Sequence, residues 1–287
     1  MTSSEPNRPS ISDKRRRFAQ LHESGCFAIP NPWDVGSALY LQSLGFKALA
    51  TTSSGFAWSR GRADGAVSRE MVLEHLHEMV AATELPVNAD FENGFAELAD
   101  GVEQSVRLAV ETGVAGLSIE DSTGNPAAPL FDIDSAVERI RAARKAIDQC
   151  GGDTVLVGRA ECFLWGRPDL GETITRLKAY ASAGADCLYA PGIHTVDQIS
   201  AVVKAIEPKP VNVLIGGASM LSVDELAALG VRRISVGGAL ARSAWAGFID
   251  AAQQIARDGR FDQLGQAASG RALNELFRNE RSSRDEG

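Results

Sequence analysis

Acidic side chains at the ends of apolar runs are the first feature of this sequence that could do chemistry. In Val87-Asn-Ala-Asp-Phe-Glu-Asn-Gly94, Asp90 and Glu92 stand two residues apart. On an extended backbone such residues face the same side. Two carboxylates held that close repel each other, and a hard divalent cation with oxygen ligands relieves the repulsion. Mg²⁺ is the expected ion, with Mn²⁺ as its substitute. A second acidic pair, Glu120-Asp121, closes the run Gly116-Leu-Ser-Ile-Glu-Asp121. Asp90, Glu92 and Glu120 would together supply three carboxylates, enough for one such ion that keeps several waters.

Basic and small polar residues end other apolar runs. Arg159 closes Val155-Leu-Val-Gly-Arg159 and is followed by Glu161. A guanidinium inside an apolar strand must be paired. Either Glu161 or Glu120 pairs it internally, or it clamps a substrate carboxylate in bidentate fashion, and the clamp is the expectation. Ser53-Ser54-Gly55 places small side chains and backbone N–H groups at a strand end, which suits a carboxylate or phosphonate oxygen and equally an ordinary turn. His194, after Pro191-Gly192, is the one histidine of four at a strand end; an acid–base role and a capping role both fit. Asn212 ends another run, and position alone assigns it to the distal part of a substrate. The segment from Trp58 to Gly65 is long for a strand-to-helix connection and is expected to act as a lid.

Regular elements must bring these residues together. Short apolar runs bounded by Gly, Pro or Asp predict strands over 26–30, 48–53, 86–92, 116–121, 154–161, 187–192, 211–216 and 233–238. Helical spacing fills the gaps, starting with a helix over 12–23, and several helices end in a glycine at the C′ position, such as Gly45, Gly113 and Gly184. Strands alternating with helices imply parallel strands with right-handed crossovers. Eight units in this length match an α/β fold of the (β/α)₈ barrel type, whose active face lies at the carboxyl ends of the strands. No GxGxxG follows the first strand, which argues against a dinucleotide-binding sheet. Residues 1–12 read as a disordered tail, 13–281 as one barrel domain with extra helical patterns over 239–258, 261–268 and 272–277, and 282–287 as a solvated tail.

Bulk properties narrow the partners. The 287 residues carry a formal charge of −8 with no basic stripe, so nucleic acid is not an expected partner. No apolar run is long enough to span a bilayer, and no apolar segment follows Lys14-Arg-Arg-Arg17, so neither a membrane nor a secretory signal is expected. Cys26, Cys150, Cys162 and Cys187 lack CxxC spacing and read as thiols of a cytoplasmic protein.

These pieces together resemble the isocitrate lyase/phosphoenolpyruvate mutase superfamily over nearly the whole chain. The matching motifs are Asn31-Pro-Trp-Asp34, Thr52-Ser-Ser-Gly55, Gly61-Arg-Ala-Asp-Gly65, Asn88-Ala-Asp-Phe-Glu-Asn-Gly94, Ile119-Glu-Asp121, Gly158-Arg-Ala-Glu161 and Pro191-Gly192. The resemblance implies a (β/α)₈ barrel whose last helix is swapped between the subunits of a homodimer or homotetramer. It implies Mg²⁺ held by Asp90, Glu92 and Glu120, where the family usually has Asp-x-Asp in place of Asp90-x-Glu92. Ser54 and Gly55 would hold substrate oxygens, Arg159 a carboxylate, and Asp64 would be the acid on the mobile loop.

One departure bears on the reaction. Isocitrate and methylisocitrate lyases carry a Lys-(Lys/Arg)-Cys-Gly-His loop, whereas here Glu120 is followed by Asp121-Ser-Thr-Gly-Asn-Pro-Ala-Ala-Pro129, with neither cysteine nor histidine. The chain resembles more closely the branch with 2-oxo acid lyases and oxaloacetate decarboxylases. The expected activity is Mg²⁺-dependent cleavage of a C–C bond in a small 2-oxo or 2-hydroxy dicarboxylate through a metal-stabilised enolate, with Arg159, Glu120 and Asp64 as catalytic residues. A P–C bond enzyme, with Asn125 in the loop, and a non-catalytic 2-oxo acid binding protein are the alternatives.

Overall fold

The computed structural model describes residues 8–285, with side chains described through residue 279. Most of the expected N-terminal tail, residues 1–7, lies outside the described residues. Eight parallel strands form one sheet: β1 (Phe27–Ile29), β2 (Leu49–Ala50), β3 (Val87–Asp90), β4 (Gly116–Glu120), β5 (Val155–Arg159), β6 (Cys187–Tyr189), β7 (Val211–Leu214) and β8 (Arg233–Ser235). Their order is β1-β8-β7-β6-β5-β4-β3-β2. The Ala50 N–H donates to Pro30 O at 3.0 Å across the remaining gap between β2 and β1, so the sheet curls into a (β/α)₈ barrel.

Around it run α1 (Ile11–Glu23), α2 (Val35–Ser43), α3 (Ser53–Ser59), α4 (Arg69–Ala82), α5 (Ala99–Glu111), α6 (Ile133–Gln149), α7 (Leu170–Ser182), α8 (Val196–Ile206), α9 (Val223–Ala228) and α10 (Ala239–Asp258). A 3-10 turn (Asp262–Gln266) and α11 (Gly270–Asp285) follow. The main core lies between strands and helices; it joins Leu76, Val102, Leu117, Ile140, Leu156, Leu188 and Ile199, all buried. No described helix is long and apolar enough to cross a membrane.

Helix α1 plugs the amino-terminal end of the barrel. Phe18 is wholly buried against Phe27, and the rings of His22 and Phe27 meet edge to face at 5.2 Å. Two members of the basic cluster bind the carboxyl ends of outer helices. Lys14 Nζ donates to Val80 O and Thr83 O at 3.0 and 2.5 Å, while Arg15 reaches Val110 O and Val114 O at 2.7 and 3.0 Å. Carbonyls at a helix end carry partial negative charge and lack partners, which is why cations settle there.

Each strand is shorter than the run expected for it, and three boundaries shift for an identifiable local reason. Helix α1 starts at Ile11, one residue before the expected start at 12, because Ser10 and Asp13 form a reciprocal capping box. Strand β2 stops at Ala50, and Ser53-Ser54-Gly55 opens α3 instead of ending a strand, since Thr52 caps that helix by accepting from Gly55 N. The expected tail from Ser282 continues α11 to Asp285, because no Pro or Gly interrupts the chain between Gly270 and Gly287. Within this chain α11 lies against α2.

Two buried histidines generate a pH dependence. Burial holds the His22 imidazole down to about 3, aided by the nearby Arg233 charge, and His75 down to about 4. A folded pKa below the unfolded value near 6.5 means the unfolded chain binds more protons between the two. Stability from His22 is therefore complete above pH 6.5 and is lost as the pH falls toward 3. A His22→Leu variant is expected to lose stability less steeply over that window in urea titrations, by at most about 1.4 kcal/mol per pH unit. An unchanged slope contradicts this.

Candidate active site

Parallel register delivers the charged strand ends to one place. Glu120 of β4 pairs with Arg159 of β5, and Asp90 of β3 pairs with Ser118 one pleat below Glu120. Above them, at the carboxyl end of the barrel, is a cavity of about 760 Å³ whose wall includes Ser53, Asp64, Glu92, Glu120, Arg159 and Glu161. This is where a barrel of this type carries its active site.

Arg159 stands at the centre of the charges. Its Nε pairs with Glu161 Oε1, and Nη1 lies 3.2 Å from Asp90 Oδ1 and 3.3 Å from Glu120 Oε2. Its guanidinium carbon is 5.2 Å from the Tyr189 ring centroid, a cation–π contact. Burial alone would lower the Arg159 pKa, but the Glu161 and Glu120 carboxylates hold it well above the usual guanidinium value. The opposite holds for the acids. Burial, ahead of every charge, pushes Glu120 well above the carboxylate range and raises Glu161, despite Arg159 beside both. No hydrogen bond from Nη2 is seen among the described residues, which leaves that edge of the fork for a ligand.

Two further acids face the same space. Asp64 sits on the loop after α3, and its pKa is raised first by desolvation and then by the Asp90 charge. Glu92 takes φ +47, a left-handed conformation that an L-residue enters at a cost of about 1–2 kcal/mol. Its Oε1 is buried without any hydrogen-bond partner among the described residues. Burial, then Asp90 and Asp64, push Glu92 up to about 8. Strain and a carboxylate starved of positive charge coincide at this one residue.

The neighbouring Glu120 and Asp121 do separate jobs, because adjacent strand residues face opposite sides. Asp121 Oδ1 accepts from the Glu161 N–H at 2.8 Å, and Oδ2 accepts from Arg176 Nη1 at 3.0 Å and Tyr180 OH at 2.6 Å. This buried clamp ties the end of β5, and so Glu161, to α7. Arg139 braces the loop after β3 through Asn93 O, Ala96 O and Glu97 O at 2.6, 2.5 and 3.0 Å.

The chemistry of the donor set suits a hard divalent cation. Asp64, Asp90, Glu92, Glu120 and Glu161 face one guanidinium, and one buried oxygen is unpartnered. Among the described residues no three acids, histidines or cysteines already form a ligand cluster, since Arg159 draws Asp90 and Glu120 to itself. Mg²⁺ does not demand such a cluster, because it commonly takes one or two carboxylates and keeps its waters.

Not every residue singled out from sequence reaches the cavity. Ser53 lines it, and its N–H donates to Asp90 Oδ2 at 2.9 Å. Ser54 Oγ instead meets Thr52 Oγ1 at 3.1 Å, and the Gly55 N–H is taken by Thr52 Oγ1 at 3.3 Å. A Cβ on Gly55 would come within 3.0 Å of Trp33 Cβ, so this glycine serves close packing. His194 is exposed; its Nδ1 lies 3.1 Å from Gly192 O at the entry to α8. Asn212 is fully buried inside the barrel, where it bonds Ser235 Oγ and accepts from Arg233 Nε, both at 2.9 Å. Neither His194 nor Asn212 is part of the cavity wall.

The wall also holds Phe95, Leu164 and Trp165, which the sequence reading passed over, together with Val67, Ser122 and Thr123 from the two loops that flank the site, the last two beside the loosely proposed Asn125. Residues 122–130 form a small hairpin through the Ser122–Leu130 bridge, and Trp165 Nε1 donates to Ser122 Oγ at 3.2 Å. The available signal was Phe163-Leu-Trp165, an apolar run directly beyond a strand that ends in charge.

Comparison with known proteins agrees with this geometry. The model of the family described as phosphoenolpyruvate phosphomutase matches residues 18–256. A Burkholderia cenocepacia J2315 structure, provisionally named a lyase/mutase, superposes with a TM-score of 0.89 at 48% identity, covering 93% of this chain and 96% of that one. Oxaloacetate decarboxylase 1 of Pseudomonas fluorescens is 28% identical over 78% of each chain. A phosphonopyruvate hydrolase solved with oxalate and Mg²⁺ gives a TM-score of 0.81 at 26% identity, over 94% of this chain and 96% of its own. The chain belongs to the phosphoenolpyruvate mutase/isocitrate lyase superfamily, a superfamily of lyases and mutases that act on C–C and P–C bonds.

Proposed function

We propose that this protein is a Mg²⁺-dependent lyase that breaks a carbon–carbon bond of a small 2-oxo or 2-hydroxy acid. The observation that carries this reading is the Arg159 fork facing a cavity beside a surplus of carboxylates, one of them strained and unpartnered. Glu92, Asp90 and Glu120 would hold the cation, which when bound supplies positive charge where a 2-oxo oxygen becomes negative. Arg159 orients the substrate carboxylate through Nη2. Asp64, at the cavity mouth and with a raised pKa, exchanges the proton with the reacting carbon or its substituent. Trp165 and the hairpin at 122–130 shield the site from bulk water.

The phosphonopyruvate hydrolase likeness supports a second reading, P–C bond chemistry. The composition of the wall gives it less support, because Arg159 is the one basic residue there among those described, and a phosphonate dianion would have to share it and the cation with the substrate carboxylate.

Oxaloacetate, methylisocitrate and 4-hydroxy-2-oxo acids, assayed with Mg²⁺ for release of pyruvate or another 2-oxo acid or dicarboxylate product, test the reaction. At least one is expected to be cleaved, with loss of turnover in EDTA and its return on adding Mg²⁺ or Mn²⁺. Arg159→Met is expected to reduce kcat/KM by about a hundred-fold or more, as misplacement at a reacting centre does. Absence of any product from all three classes contradicts the reading.

The exposed face of α10 supports an assembly of copies. Its Trp245, Phe248 and Ile249 are 40, 62 and 42% exposed, an apolar strip that a lone chain leaves in water. Covering by a second copy supports a homodimer or homotetramer. Sedimentation of the full chain is expected to show one of these, and Phe248→Glu is expected to shift it toward monomer; a monomeric wild-type chain contradicts this.

A further inference from the structure

The cavity is larger than a four-carbon dicarboxylate requires, and among the described residues Arg159 is the one cation on its wall. Besides the acids Asp64, Glu92, Glu120 and Glu161, the wall is made of the apolar side chains Val67, Phe95, Leu164 and Trp165 and of neutral polar groups such as Asn93, Ser122, Thr123 and Asn125. Arg159 has Nη2 to offer one carboxylate, its other nitrogens being engaged by Glu161, Asp90 and Glu120. Neighbouring cations are spent elsewhere. Arg62, two residues from Asp64, donates to Ala66 O at 3.0 Å and lines a separate groove with Trp58 and Trp245. Arg167 pairs with Glu172 at 3.0 Å. A second carboxylate at the far end of a substrate would thus lose its water without gaining a counter-ion, which is unfavourable.

The apolar part of the wall is held in place. Leu164 N and Trp165 N both donate to Glu161 O, at 3.0 and 3.2 Å, so a turn that starts at the Arg159 partner carries both side chains over the site. Trp165 is fixed by its bond to Ser122 Oγ. Phe95 takes φ +53 and packs edge to face on Phe91 at 5.1 Å. Leu164, half exposed at 51%, is an apolar surface awaiting cover. Ser122 Oγ accepts from Trp165 Nε1 and Gly124 N, while its own proton has no acceptor among the described residues and is available to a ligand oxygen.

We infer that the substrate is a 2-oxo acid with a single carboxylate, whose C4 bears a hydroxyl and an uncharged apolar substituent that lies against Trp165, Leu164 and Phe95. This rests on the lyase reading above and names its substrate class. The step balances as a retro-aldol cleavage. Asp64 takes the C4 hydroxyl proton, the C3–C4 electron pair moves to C3, and an aldehyde leaves with its oxygen hydrogen-bonded to Ser122. The same proton then returns to C3, giving pyruvate.

Binding and turnover test it separately. Calorimetry with Mg²⁺ present compares two 2-oxo acids that cannot undergo the cleavage, 2-oxo-4-phenylbutanoate and 2-oxoglutarate. The phenyl compound is expected to bind at least about ten-fold more tightly, in the range one or two buried methylenes give, with the ratio falling in Trp165→Ala and largely restored in Trp165→Phe. Equal or tighter binding of 2-oxoglutarate overturns the inference whatever the catalysis. For turnover, 4-hydroxy-2-oxo-4-phenylbutanoate is expected to release pyruvate and benzaldehyde with a higher kcat/KM than oxaloacetate is decarboxylated. Faster turnover of oxaloacetate overturns the substrate class while leaving the lyase reading intact. Tight phenyl binding with no cleavage of either compound overturns the retro-aldol step, and together with no product from methylisocitrate it overturns the lyase reading.

Discussion

An imbalance of charge at the carboxyl end of the barrel governs this structure. Five carboxylates face one guanidinium, and the guanidinium cannot satisfy them all. Unpaired charge taken out of water is costly, by several kcal/mol per ion even after relaxation. The protein meets part of that cost by letting acids hold protons, as the raised Glu120 and Glu92 pKa values indicate. A fold selected for stability alone has no reason to keep such a group, nor to hold Glu92 in a left-handed backbone conformation beside it.

The rest of the chain holds this arrangement still. Parallel register sets Glu120 beside Arg159, and strand alternation turns Asp121 the other way, where Arg176 and Tyr180 anchor it. Asp121 in turn fixes the backbone of Glu161, the tightest partner of Arg159. At the other end of the barrel, α1 closes the base with Phe18, and its Lys14 and Arg15 tie it to the ends of outer helices. Chemistry sits at one mouth and stability at the other, the division that barrels of this type show.

Much of this was legible from residues alone, for definable reasons. Strand ends are marked by abrupt changes from apolar to charged, so the sequence alone places Asp90, Glu120 and Arg159 at one barrel mouth. Residues whose fate depends on side-chain partners could not. Thr52 captures the Gly55 N–H, which converts an expected anion cradle into the first turn of α3. Asn212 looks like a strand-end polar group, yet it faces inward and satisfies Arg233. Trp165 and Leu164 lie in a loop with no periodicity, and only the fold brings them over the cavity. The capping box at Ser10 was readable and sets the start of α1 earlier than hydrophobic spacing suggests.

The central claim is that the acid surplus is a site for a divalent cation. Calorimetric titration of the apoprotein with Mg²⁺ near pH 7, in buffers of differing ionisation enthalpy, tests it most directly. With Glu92 held up to about 8, most of it carries a proton at that pH, and a ligating carboxylate must lose it. The account predicts saturable binding with proton release, both diminished in Glu92→Gln. Absence of binding at millimolar Mg²⁺, or binding with the same proton release in Glu92→Gln, would contradict it.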